Sequence, residues 1–459
     1  MTDPDDRADE LASGRVNAPG DVEPAPSDAG ESREFGEAVL AALPVWSRSP
    51  AGLVCDGVPL AEVAAAVGTP CYVYSGQAVD AAYSRYAAAL TGPDDRVCYA
   101  VKANGALAIL ARLAGLGAGF DVVSVGELER VLAAGGRAES VVFSGVGKSA
   151  AELATAIERG IGCINVESEP ELRRLEAIAR ARGAVAPVAV RVNPDVDART
   201  HPYISTGLQE NKFGVPTTQA RSLYQQAQAS PALRPVGIAC HIGSQLTKPD
   251  PWLDAAEHMV TLAEELASAG IRLQHLDLGG GFAVRYCDET AAEPALWLRA
   301  LRQRLGERLD ALGCALWVEP GRAIVANAGI LVTRIEYLKE NGGRHFCIVD
   351  AGMNDLLRPA LYQAWHAIVP VHVRRDTPLR RYQVVGPVCE TGDFLGHDRW
   401  LAVDAGDLLA VLGAGAYAAV MASNYNARLH APEVLIDRGA FRVTRPRRPL
   451  SDLWAHERV

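Results

Sequence analysis

The chain has 459 residues, 49% of them hydrophobic and 22% charged, with a formal net charge of −10. That length exceeds one ordinary core and predicts more than one domain, while the composition is that of a soluble globular protein. Residues 1–36 hold ten acids against three arginines, a net −7, so the remaining chain carries only −3 and offers no basic face for nucleic acid or an anionic membrane.

Residues 1–36 are rich in Pro, Ala, Gly, Ser and Asp, and Phe35 is their only aromatic residue. Such a segment buries too little apolar surface to offset its ordering entropy, so it is predicted to be a disordered acidic extension. No basic-then-apolar leader and no bilayer-length apolar run is visible, which makes a cytoplasmic location the expectation. The nine cysteines are scattered without a CxxC pair. This argues against a disulfide framework or a zinc site and reads most of them as small core residues.

The stretch 37–75 contains GLVCDGVPL and CYVY, and is expected to lend a strand or two to a β domain. From residue 97 onward short β-rich runs recur: VCYAVK (97–102), GFDVVS (119–124), VVFSG (141–145), CINVES (163–168), PVAVRVNP (187–194), PVGIACHIG (235–243), LQHLDLGGG (273–281) and ALWVEPGR (315–322). Between them lie helix-forming stretches such as ALAILARLAGLG. Eight strands alternating with helices predict an α/β fold, a (β/α)8 barrel over residues 76–330. Beyond that, RHFCIVDAG, RYQVVGPVCETGDFL and DLLAVLGAGAYAAVMASNYN are β-rich with Gly/Asp turns, and predict a mainly β C-terminal domain at 331–459.

A barrel places its site at the C-terminal ends of its strands. The unusual polar residues fall there: Lys102, Asp121, Glu167, Asn193, His241, Gly279 to Gly281, and Glu319 with Arg322. Singly, each reads as an ordinary strand-end residue; Lys102 alone is a lysine reaching water. GVGKS at 145–149 resembles the end of a phosphate-binding P-loop, but position 142 is Val where that loop needs Gly, so a nucleotide site is rejected. Taken together the set has one economical chemical reading. A strand-tip lysine forms a Schiff base, three glycines let backbone approach a phosphate, a carboxylate faces a ring nitrogen and a planar His stacks on the ring. These are the parts of a pyridoxal 5'-phosphate site, and they do not name the reaction.

YAVKAN, HIGSQ, DLGGGF, EPGR, DAGMNDLLRPALY, CETGDF and GAYAAVMASNYN, in that order, resemble the pyridoxal-phosphate-dependent, alanine-racemase-like barrel decarboxylases that act on ornithine, arginine and diaminopimelate. RVNPDVDARTHPYISTGLQENKFG (191–214) is most similar to the diaminopimelate branch. The resemblance runs from about residue 45 to the C-terminus. It implies decarboxylation of meso-2,6-diaminopimelate to L-lysine and CO2, the last step of lysine biosynthesis. The alternative is a sister decarboxylase acting on another amino acid. By the same resemblance Lys102 would bind the cofactor covalently, Asp121 and His241 would lie beside it, and Glu319 would pair with its nitrogen. Ser244, Gly279, Gly280, Gly281, Arg322 and Tyr417 would surround the phosphate. Arg322, Arg358, Tyr362 and Tyr417 would hold the substrate's distal carboxylate and Glu390 its ammonium, with Cys389 as proton donor. Cys389 and Glu390 would reach in from the partner of a homodimer. FAVRY after the triple glycine and HDRW after CETGDFLG depart from the usual pattern.

Overall fold

The computed structural model describes residues 36–197 and 212–459. The acidic extension, but for Gly36, and most of the 191–214 motif lie outside the described residues. Eight parallel strands close into a barrel: Arg96–Ala100, Gly119–Val122, Val141–Phe143, Cys163–Val166, Ala186–Asn193, Leu233–Ala239, His275–Asp277 and Ala315–Val318. Each pairs with the next, and Ala315–Val318 pairs back onto Arg96–Ala100. Every strand in the sequence reading corresponds to one of these.

Helix starts follow a repeated local device. Ser124, Ser149 and Ser168 each cap a helix by accepting a hydrogen bond from the backbone amide three residues on, at Glu127, Glu152 and Glu171. Each glutamate reaches back to a backbone amide at or just before the cap, at Val123, Ser149 and Glu167. This Ser-x-x-Glu pairing satisfies donors that the first helical turn leaves open.

Inside the barrel, small side chains (Cys98, Val142, Cys163, Ala189 and Val236) pack with Trp317. The His275 ring stacks on Trp317 at 3.6 Å between centroids, 5° from parallel, and the Arg96 guanidinium lies 4.7 Å from the Trp317 ring centroid. A Cβ on Gly237 would sit 2.0 Å from His275 Nε2, so only glycine leaves room for that stack. Burial holds His275 neutral, its pKa pushed down to about 3.

A second sheet is built around the long strand Gly329–Asn341, which pairs with Arg344–Val349, Leu408–Val411 and Cys71–Ser75. Cys71–Ser75 lies between Gly329–Asn341 and Glu433–Asp437, antiparallel to the first and parallel to the second. Sheet pairing therefore begins at Gly329, two residues before the expected 331. Trp46–Ser49, Gly52–Cys55 and Val58–Pro59 form a separate three-stranded antiparallel sheet. One face of the second sheet (Val73, Ile330, Val332, Ala410, Val434) packs on Leu53, Leu60 and Val63. Residues of the other face, among them Tyr72, Tyr74, Leu331 and Leu435, belong to the same apolar core as the barrel.

Candidate active site

At the C-terminal rim of the barrel Lys102, His241, Ser244, Gly281, Glu319, Arg322 and Tyr417 line a small open cavity. Lys102 follows Arg96–Ala100 in a single 3-10 turn. Its Nζ donates to Asp121 Oδ2 at 2.9 Å. Asp121 is fully buried and its other oxygen has no partner. Desolvation opposes the Lys102 ammonium, but the charges of Asp121, Tyr417 and Glu319 outweigh it and raise the amine's pKa. The lysine at the tip of an apolar strand is thus held cationic by a carboxylate on the neighbouring strand.

His241 lines the same cavity. Its Nδ1 accepts from the Gly280 amide at 3.2 Å, so the proton of the neutral ring sits on Nε2. Burial first, then the charges of Arg191 and Lys102, hold the imidazole neutral, well below the usual histidine range. Gly281 lines the cavity, and none of Gly279, Gly280 and Gly281 leaves room for a side chain. Added Cβ atoms would lie 2.5 Å from Cys240 O, 2.2 Å from Glu319 O and 2.3 Å from Gly243 O respectively.

Glu319 Oε1 is buried and unpartnered. Burial, then the charges of Asp121 and Asp277, push this carboxyl well above the usual range. Burial likewise raises Asp277 to about 6, opposed by a hydrogen bond with Glu319 and one from the Gly279 amide. Burial therefore favours the protonated form of both carboxyls.

Arg322 donates to Ser244 Oγ through Nη2 at 3.0 Å and to the Tyr286 hydroxyl through Nη1 at 2.9 Å. Its guanidinium lies 4.8 Å from the Tyr417 ring centroid. Tyr417 has φ 53°, and its amide donates to Ala103 O, which ties the GAY turn of the second domain to the lysine turn. Arg358 is buried beside Tyr286 and His366, and Tyr362 is close enough to both arginines to stabilise their charge. Cys389 and Glu390 are exposed and do not line this cavity; the Cys389 amide donates to Asn426 Oδ1.

Asp277, Tyr286 and His366 were not singled out by sequence. Asp277 could have been found as the acid two residues before the glycine run, whereas Tyr286 and His366 carry no local pattern. Lys148 of the rejected P-loop likeness is buried, with its amine bound to Glu171 at 2.8 Å and to the carbonyls of Gly145 and Asn165. Glu167 accepts from the Gly145 and Gly214 amides and ties two rim loops together.

A barrel of this form, with a lysine–carboxylate pair and a triple-glycine turn at its rim, defines the class. Residues 77–326 match the model of the pyridoxal-dependent decarboxylase family, pyridoxal binding domain. A diaminopimelate decarboxylase of Pseudomonas aeruginosa is 53% identical over 90% of this chain and 99% of its own length. The crystal structure of diaminopimelate decarboxylase from Helicobacter pylori complexed with L-lysine superposes with a TM-score of 0.83 at 41% identity, covering 87% of this chain and 99% of that one. That of M. jannaschii, in co-complex with L-lysine, gives 0.87 at 36% identity over 91% and 98%. The chain belongs to the diaminopimelate decarboxylase family. Among the described residues no helix is long and apolar enough to cross a membrane.

Proposed function

We propose that this chain is a pyridoxal-phosphate-dependent decarboxylase that converts meso-2,6-diaminopimelate to L-lysine and CO2. The observation that carries the reading is the cavity itself, where an amine, a neutral ring, an unpartnered buried carboxyl and a side-chain-free turn meet. These features fit the cofactor. Lys102 Nζ would carry it, the glycine turn with Ser244 would take its phosphate, His241 would lie against its ring, and Glu319 Oε1 would pair with its nitrogen. When bound, pyridoxal phosphate supplies the sink for the electron pair left as CO2 departs.

The chain's own groups do the rest. Asp121 holds Lys102 Nζ in place and takes up its charge. The buried Glu319 and Asp277 carboxyls, both shifted towards their protonated forms, would hold a proton at the ring nitrogen's end of the cavity. Arg322 and Arg358 supply guanidiniums for the carboxylate of the non-reacting end, and Glu390 an acid for its ammonium. That combination suits a substrate with an amino acid at both ends; a diamine-forming enzyme would need only the acid. Cys389 Sγ would deliver the proton to Cα.

Cys389 and Glu390, exposed and outside their own protomer's cavity, are assigned to the partner's site in a homodimer. A 1:1 mixture of Lys102→Ala and Cys389→Ala subunits tests this. It should regain about a quarter of wild-type activity, because half of the dimers would then contain one intact site. No regain would refute the shared site. The substrate test follows CO2 and amino-acid product from meso-diaminopimelate beside L-ornithine, L-arginine and L-lysine. Lysine formed from diaminopimelate, and lost in Lys102→Ala, is the expected result; turnover of one of the others instead would favour a sister decarboxylase.

A further inference from the structure

Between the barrel rim and the second domain the two substrate-side arginines are held by a pair of residues outside the motifs that define the site. Tyr286 is 6% exposed. Its amide and that of Cys287 both donate to Glu289 Oε2, at 2.8 and 2.7 Å, which fixes the turn carrying it. Gly413 packs flat on its ring, where a Cβ would lie 3.0 Å from Cδ1 and Cε1. The Arg358 guanidinium lies 4.5 Å from the ring centroid, and the hydroxyl accepts from Arg322 Nη1 at 2.9 Å. One side chain therefore touches both arginines, one through its face and one through its oxygen.

His366 completes the arrangement. It is fully buried, and its ring meets Tyr286 edge-on at 5.3 Å and 73°. Nδ1 lies 2.8 Å from Leu412 O, a group that only accepts, so Nδ1 carries the proton. Nε2, 2.9 Å from Arg358 Nη1, must then accept. Arg399 Nη2 donates to the His366 carbonyl at 3.1 Å and secures its backbone. Burial, followed by the Arg358 charge, keeps this imidazole neutral, its pKa lowered to about 3. Around Tyr286 desolvation disfavours the phenolate, but Arg322 and Arg358 overcome it and lower its pKa.

Neither residue is needed to hold a carboxylate directly. We propose that Tyr286 and His366 are positioning residues that fix the guanidiniums of Arg322 and Arg358 for the carboxylate at the substrate's non-reacting end. A guanidinium recognises a carboxylate through two parallel bonds, so its plane must be set before the ligand arrives. Arg358 has one face on the Tyr286 ring and one nitrogen on His366; Arg322 has Nη1 on Tyr286 and Nη2 on Ser244. With those contacts made, both planes are fixed. The inference rests on the proposed function, because it names what organises that site's specificity.

The experiment compares holoenzyme carrying Tyr286→Phe, His366→Leu or His366→Gln with wild type. It measures kcat and KM for meso-diaminopimelate, and Ki for L-lysine and for 1,5-diaminopentane, which lacks the carboxylate. Tyr286→Phe and His366→Leu should raise KM and the L-lysine Ki together by about tenfold, the loss of one charge-assisted hydrogen bond. They should leave kcat within about twofold, since only binding remote from the reacting atoms is touched. The diaminopentane Ki and the bound cofactor's absorbance should not move. His366→Gln, which keeps an acceptor for Arg358, should recover most of the loss. If diaminopentane weakens by the same factor, or kcat falls while KM stays, the two residues are merely structural and the inference fails. Wild-type holoenzyme that makes no lysine would overturn the function reading, and this inference with it; an active wild type without the split overturns the inference alone.

Discussion

Replacing Gly280 by alanine tests whether the triple-glycine run is a made-to-measure surface or an ordinary turn. The new Cβ would lie 2.2 Å from Glu319 O and 3.0 Å from Glu319 C, both backbone atoms that cannot rotate aside. An unstrained carbon–oxygen contact is about 3.3 Å, so the loop or the strand end must move by about 1 Å. Because the obstructing atom belongs to Glu319, the same shift displaces the carboxyl assigned to the cofactor's nitrogen. A misplacement of this size costs about 100-fold in rate, or about 2.7 kcal/mol of transition-state stabilisation. Overpacking should remove about 1–3 kcal/mol of stability as well. The control is Gly183→Ala, at φ +61° with open space around it. It should cost about 1–2 kcal/mol from the left-handed backbone alone and leave turnover intact. The assay is kcat/KM together with pyridoxal phosphate affinity by absorbance titration, set against the urea midpoint of each variant. Gly280→Ala with wild-type affinity and kcat/KM would refute the fit.

In the apoprotein, Asp277 should make stability fall as pH rises. Its carboxyl ordinarily ionises near 3.8 and is raised to about 6 by burial, so the folded state binds more protons between those values. Its contribution is intact below about pH 4 and is lost through about pH 6; Asp277→Asn should flatten the melting-temperature difference between pH 4 and 7, and an unchanged slope would sink the assignment. Lys148→Met should cost about 3–5 kcal/mol, because it leaves Glu171 buried and unpaired; ATP should restore none of this, which thermal melts with and without nucleotide would check. Gly237→Ala, whose Cβ would meet His275 Nε2 at 2.0 Å, should lower the melting temperature by several degrees through the barrel interior. Near-ultraviolet circular dichroism of Trp317 would report the lost stack.

The barrel was legible because its strands are short apolar runs closed by turn residues and separated by helices, the first four of them starting about 22 residues apart. Lys102, His241, Glu319 and Arg322 were legible for the same reason: a polar residue at the tip of an apolar strand stands out. Other features depend on contacts between distant segments. Tyr286 meets His366 across 80 positions and Arg322 across 36, and neither residue carries a spacing signature. The paired strands Cys71–Ser75 and Gly329–Asn341 are separated by the entire barrel, so composition could suggest that the early segment joins a β domain but not where. Asp277 was not singled out by sequence; its importance comes from lying near Glu319, just past the end of the neighbouring strand.

The position of Cys71–Ser75 sets the order in which the molecule can be completed. This strand leaves the ribosome before any of the barrel, yet one neighbour follows some 250 residues later and the other, Glu433–Asp437, nearly at the end of the chain. Until both arrive, Val73 and Ile330 lack the apolar face they share, and a bare strand edge is open to pairing with other chains. The second domain is therefore a clasp whose two halves are made on either side of the barrel. Because Tyr417 is tethered to Ala103 across the same junction, closing that clasp also brings the last wall of the cavity into place.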